Sequence, residues 1–175
     1  MQQVVIKAGL IALTVAMAGS AARAEVGYAW RSAGASAETL AQRFPAPQGF
    51  RRSQPTPGSF GAWLAGLPLK PAGASVLLHT GQPKGRQDVH AAVVDIDAGA
   101  RDLQQCADAI MRLRAEWLFA AGRARDIAFN DTGAAKPMSF ARWAEGERPK
   151  PQGRGLVWSR TAAADPSYAS FRRYM

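Results

Sequence analysis

The chain has 175 residues, 47% of them hydrophobic and 20% charged, with a formal net charge of +9. That length suits one domain with its own core, and 17 Gly with 11 Pro point to many turns and away from a helix bundle. The single cysteine, Cys106, excludes an internal disulfide.

The N-terminus carries one cation, Lys7, then an apolar run from Ala8 to Ala18 and the small-x-small triplet Ala22-Arg23-Ala24. This is the layout of a secretory signal, cleaved after Ala24, and it places the mature chain in the periplasm or outside the cell. The alternative, an uncleaved anchor, is disfavoured because the run is shorter than the about 20 residues a span needs. No transmembrane span is expected in the mature chain. Loss of Lys7 and Arg23 lowers the net charge from +9 to +7. An exported basic protein meets an anionic cell-wall polymer, an anionic envelope surface or an acidic partner rather than nucleic acid. The plainer alternative is a charge that only keeps the protein soluble.

Along the mature chain, residues 25–32 read as a short extended segment. Ser36 is a candidate cap for a brief helix ending at Arg43, stopped by Pro45 and Pro47. Residues 49–58 read as loop. From Ser59 a short helix is expected, with Phe60, Trp63, Leu64 and Leu67 on one face and Pro68 ending it. Ser75 to Thr80 and Val89 to Ile96 are β-rich runs around a polar loop, the pattern of a hairpin. Gly99 breaks the second run, Asp102 is the expected N-cap of a long helix, and Gly122 closes it.

Asp126 to Asn130 reads as a strand turned by Asp131-Thr-Gly, and Met138 to Trp143 as a short aromatic element. Lys150 to Gly155 reads as a basic linker and Leu156 to Trp158 as a strand. Asp165-Pro166 opens a final helix with Tyr168, Phe171 and Tyr174 placed for burial. With nothing following Met175, that helix is expected to lack a packing partner, as in a C-terminally truncated domain. The elements add up to one α+β domain over 25–175, a small antiparallel sheet packed on one long central helix.

The chemistry concentrates at Cys106. Near the start of a helix, orphan backbone amides and the macrodipole favour a thiolate, and Gln104 and Gln105 are candidate donors to an oxyanion. The competing reading is packing. Leu103, Cys106, Ala107, Ile110, Leu113 and Trp117 form one stripe at helical spacing, and free cysteines are among the most buried residues. Asp108 with Arg112 and Arg112 with Glu116 read as ordinary surface pairs.

A thiol nucleophile needs a base. His79 and His90 sit near the loop end of the expected hairpin, and Cys106 would stay roughly 10–15 Å short of His90 by strand and helix rises. The two histidines could form a weak metal site, but two ligands without a third are poor evidence for one, and nothing in the chain calls for a cofactor. Trp30, Trp63, Trp117, Trp143 and Trp158 are core residues or the lining of a sugar cleft. Arg142, Arg148, Lys150, Arg154 and Arg160 make the later chain basic, diluted by Glu145 and Glu147.

Arg43-Phe44, Gly49-Phe50-Arg51, Ser59-Phe60, Trp63-Leu64 and Leu67-Pro68-Leu69 resemble the opening of a bacterial exported family, the domain of unknown function 4846. The likeness is strongest in Ala92-Val-Val-Asp-Ile-Asp, in Arg101-Asp-Leu-Gln-Gln-Cys-Ala-Asp-Ala and in Arg112-Leu-Arg-Ala-Glu. Trp143 with Gly146 and Arg148, and Ser170-Phe171-Arg172 with Tyr174, also fit. Trp117 departs, standing where the pattern has tyrosine. The family's later part includes a glycine–histidine strand of the kind seen in papain-like cell-wall hydrolases. The resemblance therefore implies a papain-like half-domain with Cys106 as nucleophile and a histidine supplied from beyond Met175. A chain lacking that histidine would be inactive by itself. The rival is a non-catalytic, basic envelope-binding protein with a structural cysteine.

Overall fold

The structure, a computed structural model, describes residues 26–31, 37–131, 133 and 136–175. The expected signal segment and the Ser36 cap lie outside the described residues. In chain order come α1 (Leu40–Arg43), α2 (Phe60–Ala65), α3 (Cys106–Ala120), a 3-10 turn (Ala124–Asp126), β1 (Ala128–Asn130) and β2 (Pro137–Ser139). They are followed by α4 (Phe140–Ala144), β3 (Glu147–Gln152), β4 (Gly155–Arg160) and α5 (Tyr168–Tyr174). The class is α+β. The expected single sheet is instead two separate antiparallel hairpins, β1–β2 and β3–β4.

Local sequence accounts for most helix boundaries. The Thr39 hydroxyl caps α1, accepting from the Gln42 backbone N–H, while the Gln42 side-chain Oε1 accepts from the Thr39 N–H at 2.8 Å. Ser59, where a short helix was expected to begin, is the N-cap of α2. At the far end of α3, Gly122 takes φ +70°. The Gly122 N–H then reaches Phe119 O and the Arg123 N–H reaches Leu118 O at 2.8 Å, which is a Schellman stop.

The region expected to form a hairpin over residues 75–96 does not form one. Val94 bridges Leu69, with Lys70 N–H on Val93 O and Asp95 N–H on Pro68 O, so the segment after α2 occupies the edge that the first β-rich run was expected to use. Residues 76–84 instead close on themselves. Leu77 bridges Pro83, and both ends of the Gln87 side-chain amide bind the Val76 backbone, at 2.9 and 3.0 Å. Leu77, Leu78 and Val89 stay exposed, so no apolar face was available to drive strand pairing.

The expected basic linker is also a strand. Lys150 pairs with Val157 and Gln152 with Gly155 in the β3–β4 hairpin. Pro149 and Pro151, opposite Trp158 and Leu156, alternate with those residues. The proline positions are then the non-hydrogen-bonded sites, where a missing N–H costs nothing to the ladder. Gly146 links α4 to this hairpin at φ +91°, and a Cβ there would fall 2.1 Å from Ala162 O. Only glycine lets the backbone of 161 and 162 close onto the Gly146 carbonyl, which accepts both of their N–H groups at 3.1 Å.

The core joins Trp63 and Leu67 to Ala115, Trp117, Leu118, Ile127, Phe140 and Phe171. Its aromatic centre corrects the expectation for the last helix. Phe171 is fully buried, stacked on Phe119 at 4.9 Å and edge-on to Phe140 at 5.6 Å. Tyr174 packs on Phe140 and Trp143 and donates to Met138 O at 2.5 Å. Helix α5 is therefore docked between α3 and α4. Its N-cap is Ser167 rather than Asp165, because the Asp165 carboxylate is turned onto the Ser167 N–H at 3.0 Å.

Candidate functional site

Helix α3 begins at Cys106, with Gln105 and not Asp102 as N-cap. A tight turn in which the Leu103 N–H reaches Arg101 O takes Asp102 away from the helix. Asp108 then accepts from the Gln105 N–H at 3.2 Å and fixes the start. Cys106 is the first helical residue, at the end where backbone N–H groups have no partner within the helix. Its thiol is exposed.

The expected apolar stripe is buried only in its second half. Leu103, Cys106, Ala107 and Ile110 face solvent, Ile110 at 67% exposure, whereas Trp117 is in the core. The face that docks runs instead through Arg112, Ala115, Glu116 and Phe119, rotated around the helix from the predicted stripe. This overturns the packing account of Cys106.

That rotation also buries an ion pair that read as a surface one. Arg112 Nε lies 2.7 Å from Glu116 Oε1, with Glu116 fully buried and Arg112 nearly so. Tyr168 of α5 donates to the same oxygen at 2.9 Å. Burial raises the Glu116 carboxyl above its usual range despite the opposing effect of Arg112 and the hydrogen bonds from Arg112 and Tyr168. Burial, with the Glu116 charge beside it, raises the Tyr168 phenol strongly. The pair was missed because charge spacing carries no information on burial. The usable signal was the Ala115-Glu-Trp-Leu-Phe run, which leaves Glu116 little room for a polar face.

Beside the start of α3 lies a cavity of about 140 Å³, walled by residues 98–101, Leu103, Gln104, Asp108, Met111, Arg112, Arg172 and Met175. Gln104 accepts from Arg112 Nη1 at 3.4 Å, a weak bond at the limit of good geometry. The same nitrogen reaches Asp97 O at 3.3 Å, and Arg172 grips Asp97 through its carboxylate at 3.1 Å. Gln104 thus faces the cavity, while Cys106 and Gln105 are exposed on the helix end and do not line it. The three candidate residues are neighbours in sequence with two different outlooks.

Neither histidine joins them. His90 Nε2 lies 3.2 Å from Ala74 O, His79 is exposed, and neither hydrogen-bonds Cys106 among the described residues. Among those residues no group of three His, Cys, Asp or Glu side chains is placed to hold a metal ion, and no helix is long and apolar enough to cross a membrane.

Residues 40–175 match the family model described as Domain of unknown function (4846). The chain belongs to that family. No curated protein and no solved structure matches it. The matched segment of this 4846-family member contains the whole of α3, the cavity, and Gln104, Gln105 and Cys106.

The five tryptophans do not gather in one cleft. Trp63 and Trp117 are core, with Trp30 and Trp143 packed against it. In this family member Trp158 lines a groove of about 510 Å³, together with Asp131, Lys136, Met138, Arg142, Leu156 and Val157. The Arg142 guanidinium sits 4.8 Å over the Trp158 ring and also pairs with Glu147. Over residues 136–160 the chain carries six Lys or Arg against Glu145 and Glu147.

Proposed function

We propose that this protein is an exported envelope protein, periplasmic or secreted, in which Cys106 is a thiol nucleophile directed at amide bonds of cell-wall peptides. The observation that carries this reading is the exposed thiol on the first residue of a 15-residue helix. There the thiolate meets the positive end of the macrodipole. In the step it serves, the thiolate adds to an amide carbonyl, and the oxyanion accepts from free first-turn N–H groups and from the amide of Gln104 or Gln105. The amine leaves with a proton, and water then cleaves the thioester. The base is the histidine of the glycine–histidine strand that the family resemblance implies. His79 and His90 do not take that place.

The test is alkylation of the folded protein with iodoacetamide near neutral pH. Cys106 is expected to react about two- to threefold faster than a model thiol, since its exposed sulfur attacks from the positive end of the α3 macrodipole. A rate no faster than the model thiol removes the nucleophile.

The groove at Trp158, on a stretch of chain rich in Lys and Arg, favours a second reading, a non-catalytic module that binds an anionic cell-wall polymer. Trp158 offers a face for a sugar ring and Lys136 and Arg142 offer charge. On that reading, purified peptidoglycan retains the wild type and Cys106→Ser equally at low salt, and Trp158→Ala with Arg142→Gln is washed off. Equal retention of the double variant removes this reading.

A further inference from the structure

We propose that the cavity beside α3 is a recognition site for a single carboxylate carried on a short apolar group, such as the free end of a peptide. Arg112 is 5% exposed and lines this cavity, yet its Nη2 has no hydrogen-bond partner. A buried guanidinium nitrogen left unpaired is costly, and a small turn of the Arg112 head toward the cavity would let an incoming oxygen acceptor relieve that cost. Arg101 and Arg172 stand on the same wall, and the amide of Gln104, whose oxygen is turned to Arg112, keeps two N–H donors.

The charges present select the ligand. Glu116 occupies one side of Arg112, Asp97 holds Arg172, and Asp108 stands on the wall. Three carboxylates therefore balance three guanidiniums, so the site has no net positive charge to hold a dianionic phosphate, and recognition falls to the directional donors of the arginines and Gln104. Arginine geometry matches the planar carboxylate. Leu103, Met111 and Met175 give the cavity an apolar wall for the carbon that bears it. The volume of about 140 Å³ admits a small group and not a polymer segment.

This inference is independent of the Cys106 chemistry, and its experiment keeps the two apart. N-acetylalanine, N-acetylalanine amide and inorganic phosphate are titrated into the folded protein at constant ionic strength, followed by calorimetry and by melting temperature. Saturable binding of N-acetylalanine is expected, with none of the amide and weaker binding of phosphate. Arg101→Gln and Arg172→Gln, both changes at the cavity rim, are expected to weaken it about tenfold each, the loss of one charge-assisted hydrogen bond. Cys106→Ser is expected to bind as the wild type does. Equal response to acid and amide, or rim variants that bind as tightly as wild type, overturns the site. Phosphate binding as tightly as N-acetylalanine overturns the carboxylate assignment.

Discussion

Arg112→Met is expected to destabilise the protein by about 3–5 kcal/mol at pH 7.5, the usual result of stranding one partner of a buried ion pair. Glu116 has no exposed surface, and its Oε2 already lacks a hydrogen bond. Methionine fills much of the arginine stem's volume, so the loss reads charge rather than packing. The pH dependence gives the stricter test. Burial holds the folded Glu116 pKa above its ordinary 4.5, so the stability this group allows is present in full below that value and is lost as pH rises through the folded one. Without Arg112 the folded value moves higher still and the loss at neutral pH grows. Urea denaturation should therefore show a penalty that is large at pH 7.5 and much smaller at pH 4. The same penalty at both values would mean that an ionised Glu116 is not its source. Adding Glu116→Gln to Arg112→Met should recover part of the loss at pH 7.5 and little at pH 4.

Phe171→Ala is expected to cost about 3–5 kcal/mol, the range for truncating a fully buried aromatic. Its ring contacts Phe119, Phe140 and Tyr168, so the cavity left behind would be lined by three other rings with little freedom to collapse. Small domains hold about 5–15 kcal/mol in total, which makes this a large fraction of the whole. Val157→Ala, on the exposed side of β4, serves as a control expected within about 0.5 kcal/mol of wild type. The readout is the urea midpoint with an unchanged slope. A loss under about 1 kcal/mol for Phe171→Ala would show that α5 is not docked on α3 and α4.

Much of the local structure was legible in the residues. A helix starting at Ser59, Gly122 as a stop, Cys106 in an opening turn and the buried ring of Phe171 follow from signals within a few residues of each site, because capping and helical periodicity are short-range effects. The family, too, was legible, in the Gln104-Gln-Cys-Ala-Asp block. The misreadings share one cause. Ser75–Thr80 and Val89–Ile96 have strand composition, yet Val94 pairs with Leu69, and strand composition says nothing of which edge arrives first. Asp102 and Asp165 are good cap residues that lost their places to Gln105 and Ser167, the first because a tight backbone turn removes it from the helix and the second because its carboxylate accepts from the Ser167 N–H.

Docking alone decided the rest. Which stripe of α3 faces inward depends on where the rings of α4 and α5 settle. Their position exposes Cys106, buries Arg112 with Glu116, and gives α5 the partner that reading along the chain denied it. The cavity is likewise a product of packing: residues 98–104, the first turns of α3 and the end of α5 meet only in the folded chain. Burial is a property of contacts between segments distant in sequence, and no local pattern of residue types carries it.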